Sequence, residues 1–321
     1  MTIPMIQQYR SEFNWMQREL KGLYPWVTKN HWEFLTRIAE CYCDGPWCHG
    51  RRDNGRGLIG HLLSSQVQEN PLLDIFQKAI VRAEIRFISR YILQRSNEER
   101  LTGNLVSELD AAVFLAKPAF REVAQDRYQM DKEIDFFYYD LSRGGKVEKQ
   151  TGADLGFILV VDLPDHPFTV RSIVLQAKKC DPQAKIDISQ LRTLQDVSGD
   201  SAAYLFYDMN YRSLASPIVM AAKSMSSKAD ESEKEGNKTF SLQLDTILNS
   251  GIPLSLYLLS DVIGQGVGTS YTSFSDAFST FTSMGPSPNV TDGFNGRVGI
   301  VSIGKPISLS AEPDGGLHVS I

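Results

Sequence analysis

The sequence is short of cysteine and of long apolar runs, and both shortages limit what the chain can be. Four cysteines in 321 residues are too few for a disulfide scaffold and fit a reducing compartment. No stretch approaches the ~18 uncharged apolar residues that a membrane span needs. The N-terminal residues also lack the layout of a signal peptide. We therefore expect a cytoplasmic protein without a membrane partner.

An excess of positive charge is also missing. The chain has 33 Lys and Arg against 38 Asp and Glu, a net charge of −5. Residues 1–100 carry 14 basic and 11 acidic side chains, so the excess of acids lies in the remainder. This balance argues against a protein held on nucleic acid by bulk charge alone. It allows an enzyme whose acids hold metal ions, because a bound cation reverses the local sign of the field.

Several common catalytic and metal-binding motifs are absent or incomplete. No Ser-His-Asp set and no Walker lysine motif is evident. Cys41, Cys43, Cys48 and His49 are candidates for a zinc site, but they lie within nine residues at irregular spacing. Structural zinc sites prefer two separated pairs of ligands. Buried thiols at a helix end are the alternative interpretation.

Hydrophobic periodicity predicts an α/β protein with four regions. These are an α-helical region at 1–97, an α/β core at 98–222, a mobile polar loop at 223–239, and a Gly/Ser-rich C-terminal extension at 240–321 that packs on the core. Within the core the pattern predicts helices at 101–117 and 188–198 and strands at 133–142, 152–163, 169–179 and 202–209.

One group of polar residues falls on two successive predicted strands. Asp154 lies at the start of the strand 152–163, and Gln176 and Lys178 lie 22 and 24 residues later on the next strand. Side chains alternate along a strand, so Gln176 and Lys178 point the same way and Ala177 points opposite. If the two strands pair, an acid, an amide and an amine converge on one spot.

This set of groups suits metal-assisted hydrolysis of a phosphodiester. Mg²⁺, or Mn²⁺ in its place, prefers oxygen ligands, which the Asp154 carboxylate, the Gln176 side chain and the Ala177 carbonyl can supply. Lys178 would stabilise hydroxide and the charge that develops on phosphate. Glu108, on the preceding helix, is a candidate for a further ligand.

Asp154 followed by Gln176-Ala177-Lys178 resembles the PD-(D/E)xK nuclease superfamily. The resemblance is closest to the Gln-x-Lys variant of Mrr-like restriction endonucleases and Holliday-junction resolvases. It extends to the lead-in Thr151-Gly152-Ala153, to Gln190-Leu191 on the helix after the lysine, and to the strand 202–207. It covers about residues 100–220, and Gln176 replaces the more common acid.

The resemblance implies a restriction-endonuclease-like core, in which a central mixed sheet is flanked by helices. It also implies a Mg²⁺-dependent deoxyribonuclease with Asp154, Gln176, Lys178 and Glu108 as catalytic residues. DNA would be the substrate, and a bacterial restriction or anti-phage defence role would require control by a sensor protein or by self-association. Two alternatives stay open: a catalytically inactive DNA-binding or assembly subunit, and a toxin of a bacterial conflict system.

A row of arginines precedes this core. Arg82, Arg86 and Arg90 recur every four residues and therefore share one face of a predicted helix. Such a face can follow a phosphate backbone. The alternative is that these arginines pair with neighbouring acids.

Overall fold

The described part of the chain contains both helices and strands, as the periodicity predicts. The structure is a computed structural model, and it describes residues 70–94, 96–140, 153–209, 217–283, 297–311 and 317–321. The predictions for residues 1–69, including the zinc alternative at Cys41, Cys43, Cys48 and His49, lie outside the described residues.

The described elements follow one another in a mixed order. The helices are α1 Pro71–Tyr91, α2 Glu98–Tyr128, α3 Ile188–Ser198, α4 Ser226–Lys234, α5 Leu244–Ser250, α6 Leu254–Leu256, which continues as the π-helix Tyr257–Gly264, and α7 Phe274–Ser283. Short 3₁₀ turns cover Ile92–Gln94, Gly199–Ser201 and Ala222–Met225. The strands are β1 Ile134–Asp140, β2 Leu155–Val161, β3 Thr169–Cys180, β4 Gln183–Asp187, β5 Ala202–Asp208, β6 Ile218–Ala221, β7 Thr239–Gln243, β8 Ile252–Pro253, β9 Thr269–Tyr271, β10 Arg297–Ile303, β11 Ser308–Ala311 and β12 Leu317–Ser320.

A mixed sheet of eight strands forms the centre of the described structure. Its order is β1-β10-β2-β3-β5-β6-β8, and β9 pairs with β3 outside this path. β2 runs antiparallel to β3, whereas β5 runs parallel to β3. The protein is therefore α/β with a mixed central sheet, as the sequence predicts.

The sheet is buried on both faces. Every residue of β2 and of β5 is buried, which is typical of strands covered by other elements on both sides. Odd-numbered residues of β3, such as Leu175 and Ala177, belong to the core cluster that includes α1 and α2. Even-numbered residues, such as Val174 and Cys180, belong to the cluster that includes α3 and α7.

The long helix α2 extends beyond the predicted end at residue 117. Pro118 lies inside the helix, where the missing N–H costs a backbone hydrogen bond. The helix nevertheless continues to Tyr128, because Phe120 and Ala124 carry its buried stripe past the proline. None of the described helices combines the length and the apolar character that a membrane crossing requires.

The polar stretch that the sequence predicts as a mobile loop at 223–239 contains a helix. α4 covers Ser226–Lys234 and buries Ala229. Arg192 of α3 forms ion pairs with Asp230 and Glu233 of α4. The loop prediction was wrong here because charged contacts between helices hold this segment, and such contacts leave no apolar periodicity in the sequence.

The C-terminal segment contributes a central strand of the sheet. β10 lies between β1 and β2, antiparallel to the first and parallel to the second. Its residues Val298 and Ile300 belong to one core cluster, and Val301 and Ile303 belong to the other. The segment 240–321 therefore supplies the strands β8, β9 and β10 of the main sheet, whereas the sequence predicts an extension that packs on the core.

Gly304 ends β10 in a conformation and a space that favour glycine. Its φ is +118°, and a Cβ at this position would overlap the carbonyl oxygen of Asp162. Its N–H donates to the carbonyl of Glu133 at 2.7 Å. These contacts hold the end of β10 against Glu133, which precedes β1, and against Asp162, which follows β2.

We expect Gly304→Ala to lower the free energy of unfolding well beyond the cost of the backbone conformation. The matched control is Gly236→Ala, because Gly236 also has a positive φ but a Cβ added there would meet no atom within 4 Å. The control should cost about 1–2 kcal/mol, and Gly304→Ala should cost more because of the overlap with Asp162. Denaturant unfolding of the two variants measures the difference. Equal losses would contradict the close packing of β10 against the Asp162 backbone.

Candidate active site

Asp154 lies immediately before β2, where the backbone is already paired with β3. Its N–H donates to the carbonyl of Leu175 at 3.0 Å. Its carboxylate oxygen Oδ2 accepts hydrogen bonds from Gln176 Nε2 and, at 3.0 Å, from the backbone N–H of Ala177. The antiparallel pairing of β2 with β3 thus brings Asp154 to Gln176, as the sequence predicts.

Gln176 is buried, and both ends of its amide are engaged. Besides Asp154, its Nε2 donates to the carbonyl of Ala177 at 3.2 Å. Its Oε1 accepts from Nε2 of Gln190 at 3.0 Å. Gln190 lies in the first turn of α3, so this bond joins the helix to the sheet at the site. The sequence pattern predicts no catalytic role for Gln190, and its contact with Gln176 makes it part of the site.

Lys178 is half-buried and shares the sheet face of Gln176. Strand alternation puts both side chains on the face covered by α3. The neighbouring Lys179 points to the other face, and its backbone N–H donates to Oε1 of Glu98 at 2.9 Å. The two adjacent lysines therefore have different surroundings, and only Lys178 faces the Asp154 side.

Asp187 is a second acid on this face, and it is not among the site residues that the sequence predicts. It caps the N-terminus of α3, where its Oδ1 accepts from Ser189 Oγ at 2.7 Å and from the N–H of Gln190 at 3.0 Å. Hydrogen bonds from Ser189 and Gln190 lower the pKa of Asp187, and the charge of Lys178 lowers it further. The spacing Asp187-x-x-Gln190 is a helix-start signal that can reveal this position from sequence.

Tyr204 brings an unpaired hydroxyl to the same place. It lies opposite Gln176 in the parallel register of β3 and β5. The residue is fully buried, and its hydroxyl has no hydrogen-bond partner in the part of the chain that the structure describes. Burial raises the pKa of Tyr204, and the charges of Asp187 and Asp154 raise it further. The hydroxyl is therefore protonated at neutral pH and can only donate or accept a hydrogen bond.

Glu108 lies on the opposite side of the sheet from this group. It belongs to α2, whose neighbouring apolar residues Leu105 and Leu109 share a core cluster with Ala177, and it is almost fully buried. Its Oε2 accepts from Arg86 at 2.6 Å, and its Oε1 accepts from Arg90 at 2.8 Å and from Tyr91 at 3.2 Å. The structure therefore does not bring Glu108 to Asp154, and the expectation that it is a metal ligand was wrong.

The same contacts change the interpretation of the arginine row. Arg86 and Arg90 are both paired with Glu108 across the α1–α2 interface. Their side chains are about one-fifth exposed, at 19% and 22%. The pairing supports the structural alternative for these two residues. Arg82, on the same helix, is half-buried.

The oxygen atoms at the site suit a small divalent cation. Asp154 offers a carboxylate, Gln176 an amide oxygen and Ala177 a backbone carbonyl, which are the hard ligands that Mg²⁺ prefers. No group of three or more His, Cys, Asp or Glu side chains arranged for a metal occurs in the described ranges. Gln176 must rotate its amide to present Oε1 beside Asp154, and Gln190 must rotate with it to keep their mutual bond.

Comparison with known proteins gives no match: no protein-family model, no curated protein and no solved structure is significantly similar to this chain. The chemistry of the site must therefore be inferred from its own residues.

We expect Glu108→Gln to lower the free energy of unfolding without any effect on cation binding. The change leaves Arg86 and Arg90 without their shared carboxylate. The cost should be about 2–3 kcal/mol, below the ~3–5 kcal/mol of a fully buried pair, because both guanidinium groups reach solvent in part. Denaturant unfolding and calorimetric Mn²⁺ titration measure the two effects. Glu122→Gln, at an exposed position of α2, is the control, and loss of Mn²⁺ binding in Glu108→Gln would contradict the assignment.

Proposed function

We propose that this chain is a metal-dependent DNA endonuclease with a restriction-endonuclease-like core. The observation that carries the proposal is the contact of Asp154 with Gln176 on the sheet face that Lys178 shares. Asp154 immediately precedes β2, Gln176 and Lys178 lie on β3, and an independent contact from α3 reaches Gln176. In phosphodiester hydrolysis, an acid and an amide can hold a divalent cation, and an amine can stabilise the negative charge that develops on the phosphate.

The order of elements also supports the proposal. The resemblance to the PD-(D/E)xK superfamily rests on strand, strand, helix and strand in sequence, and the chain folds as β2, β3, α3 and β5, with the short strand β4 between β3 and α3. Gln190 follows the lysine on the helix and contacts the site. The insertion of β10 between β1 and β2 is a departure that the sequence pattern does not anticipate.

Each residue has a defined task in this mechanism. Asp154, the rotated amide oxygen of Gln176 and the Ala177 carbonyl would hold Mg²⁺, which would supply a Lewis acid for the phosphate. Lys178 places a positive charge where negative charge develops on the phosphate. Hydrolysis adds the hydroxyl of water to phosphorus and returns a proton to the oxygen of the leaving sugar. The face covered by α3 keeps Gln176 and Tyr204 away from bulk solvent.

A catalytically inactive DNA-binding or assembly subunit is the second candidate. One observation favours it: the Gln176 amide nitrogen donates directly to Asp154, so the pair is satisfied without a cation. The two candidate functions therefore differ in one respect: in an endonuclease Mg²⁺ would displace this hydrogen bond, and in an inactive subunit the hydrogen bond would remain. A restriction or anti-phage defence role, with control by a sensor protein or by self-association, is a further part of the proposal and rests on the family resemblance.

The first test is cleavage of supercoiled plasmid DNA with Mg²⁺ and with EDTA. We expect metal-dependent nicking or cutting by the wild-type chain. Lys178→Ala should lower the rate by about 10²–10³-fold, since it removes a group that acts on the transition state. Lys179→Ala removes the same charge from the adjacent position on the other face and should retain most of the activity.

The outcomes of this test separate the two candidates. Equal loss in Lys178→Ala and Lys179→Ala would make the lysines general phosphate contacts. No cleavage by the wild type with Mg²⁺ or Mn²⁺, together with DNA binding, would favour the inactive subunit.

Gln176→Glu gives a second test that does not need the substrate. The change places a carboxylate against Asp154, so without metal we expect a lower melting temperature than the wild type. Mg²⁺ should raise the melting temperature more in the variant than in the wild type, because a carboxylate is the better Mg²⁺ ligand and binding stabilises the folded state. Thermal melts with and without Mg²⁺ measure this difference.

Gln195→Glu is the matched control for this variant. Gln195 is also an amide of α3, and its Nε2 donates to Ala222 and Ser226 away from Asp154. Its replacement should lower stability without any dependence on Mg²⁺. The cation-site assignment fails if Gln176→Glu responds to Mg²⁺ no more than this control does.

A further inference from the structure

The site as proposed so far has a shortage of negative charge. Asp154 is its one carboxylate from the predicted set, since Gln176 is neutral and Glu108 lies on the opposite side of the sheet. A divalent cation held by a single carboxylate and neutral oxygens binds weakly compared with one held by two acids. A second acid on the α3 face of the sheet would make up this shortage.

Asp187 meets this requirement by its place in the fold. β3 ends at Cys180, β4 follows after two residues, and Asp187 is the last residue of β4 and the cap of α3. Three residues later, Gln190 contacts Gln176, so the first turn of α3 lies over the site. The carboxylate of this cap accepts from Ser189 Oγ and from the Gln190 N–H at Oδ1, and it also accepts from the Ser189 N–H. Its negative charge is therefore held at the start of α3.

The hydroxyl of Tyr204 is an independent sign that something binds here. A buried hydroxyl without a partner costs about 1–3 kcal/mol, so most such groups are paired or meet a ligand or water. Tyr204 lies beside Gln176 on the adjacent strand, on the face of the sheet that α3 covers. The unpaired hydroxyl therefore belongs to a residue next to the proposed site.

We propose that Asp187 and Tyr204 complete the cation site, with Asp187 as its second anionic group and the Tyr204 hydroxyl as a hydrogen-bond donor to a water or phosphate oxygen bound there. This inference rests on the proposed cation-dependent function. It replaces the helical acid that the sequence indicates, Glu108, with an acid at the start of α3. It also gives the orphaned tyrosine hydroxyl a role.

The substitutions that test this proposal preserve the fold by design. Asp187→Asn keeps an oxygen that can cap α3, because Asn is as good an N-cap as Asp, but it removes the charge. Tyr204→Phe removes only the unpaired hydroxyl. The matched controls are Asp196→Asn, an exposed acid of the same helix, and Tyr257→Phe, a buried tyrosine in the other core cluster.

The readout is calorimetric titration of the full chain with Mn²⁺, without DNA, alongside thermal melts. Asp187→Asn should weaken Mn²⁺ binding by about ten- to a hundredfold, the usual effect of losing a supporting group at a metal site. Tyr204→Phe should weaken binding or slow plasmid cleavage, although it removes a group with no protein partner. Both controls should bind Mn²⁺ as the wild type does. The melting temperature of Asp187→Asn should stay close to that of the wild type.

The outcomes distinguish this inference from the proposed function. If the wild type binds Mn²⁺ and Asp154→Asn does not, but Asp187→Asn and Tyr204→Phe behave as the wild type, the inference is overturned and the proposed function stands. If Tyr204→Phe only raises stability and leaves binding and cleavage unchanged, its hydroxyl has no role in the site. If the wild type binds no Mn²⁺, the proposed function itself fails, and this inference fails with it.

Discussion

The antiparallel register of β2 on β3 is the constraint on which the site depends. It pairs Leu155 with Leu175 and so places Asp154, one residue earlier, beside Gln176 and Ala177. A shift of the register by one residue would turn Gln176 and Lys178 away from Asp154 and would move apolar side chains from one core cluster to the other. The packing of the sheet between these two clusters therefore also fixes the geometry of the site.

Burial on both faces of the sheet divides the polar groups of the protein into two sets. On one face, Glu108 is engaged by Arg86 and Arg90, and this buried cluster joins α1 to α2. On the other face, Asp154, Gln176 and Asp187 lie under the start of α3. Neighbouring residues of β3 point to opposite sides of the sheet, so the sheet itself keeps the two sets of polar groups apart. The two kinds of acid therefore have different tasks, one structural and one proposed to be functional.

The start of α3 also contacts the residues of the candidate site. Asp187 caps the helix, and Gln190 reaches from its first turn to Gln176, so the helix and the site are held by the same few hydrogen bonds. This arrangement links the orientation of the Gln176 amide to the position of α3. Rotation of that amide, which the proposed cation site requires, has to involve Gln190 as well. In the proposed function the helix would thus take part in the chemistry as well as cover the sheet.

The sequence by itself determined the α/β class, the strands β2, β3 and β5, the helix α3, and the convergence of Asp154 with Gln176. The apolar pattern of each short segment predicts the element that it forms, and the short connection between β2 and β3 favours their pairing. Only the tertiary structure decided that β10 enters the sheet between β1 and β2, that Glu108 pairs with arginines, and that Tyr204 lies beside Gln176 and Asp187 at the start of α3. These features depend on contacts between residues far apart in the chain, such as Tyr204 beside Gln176. A pattern within one segment carries no information on which distant segment it will meet.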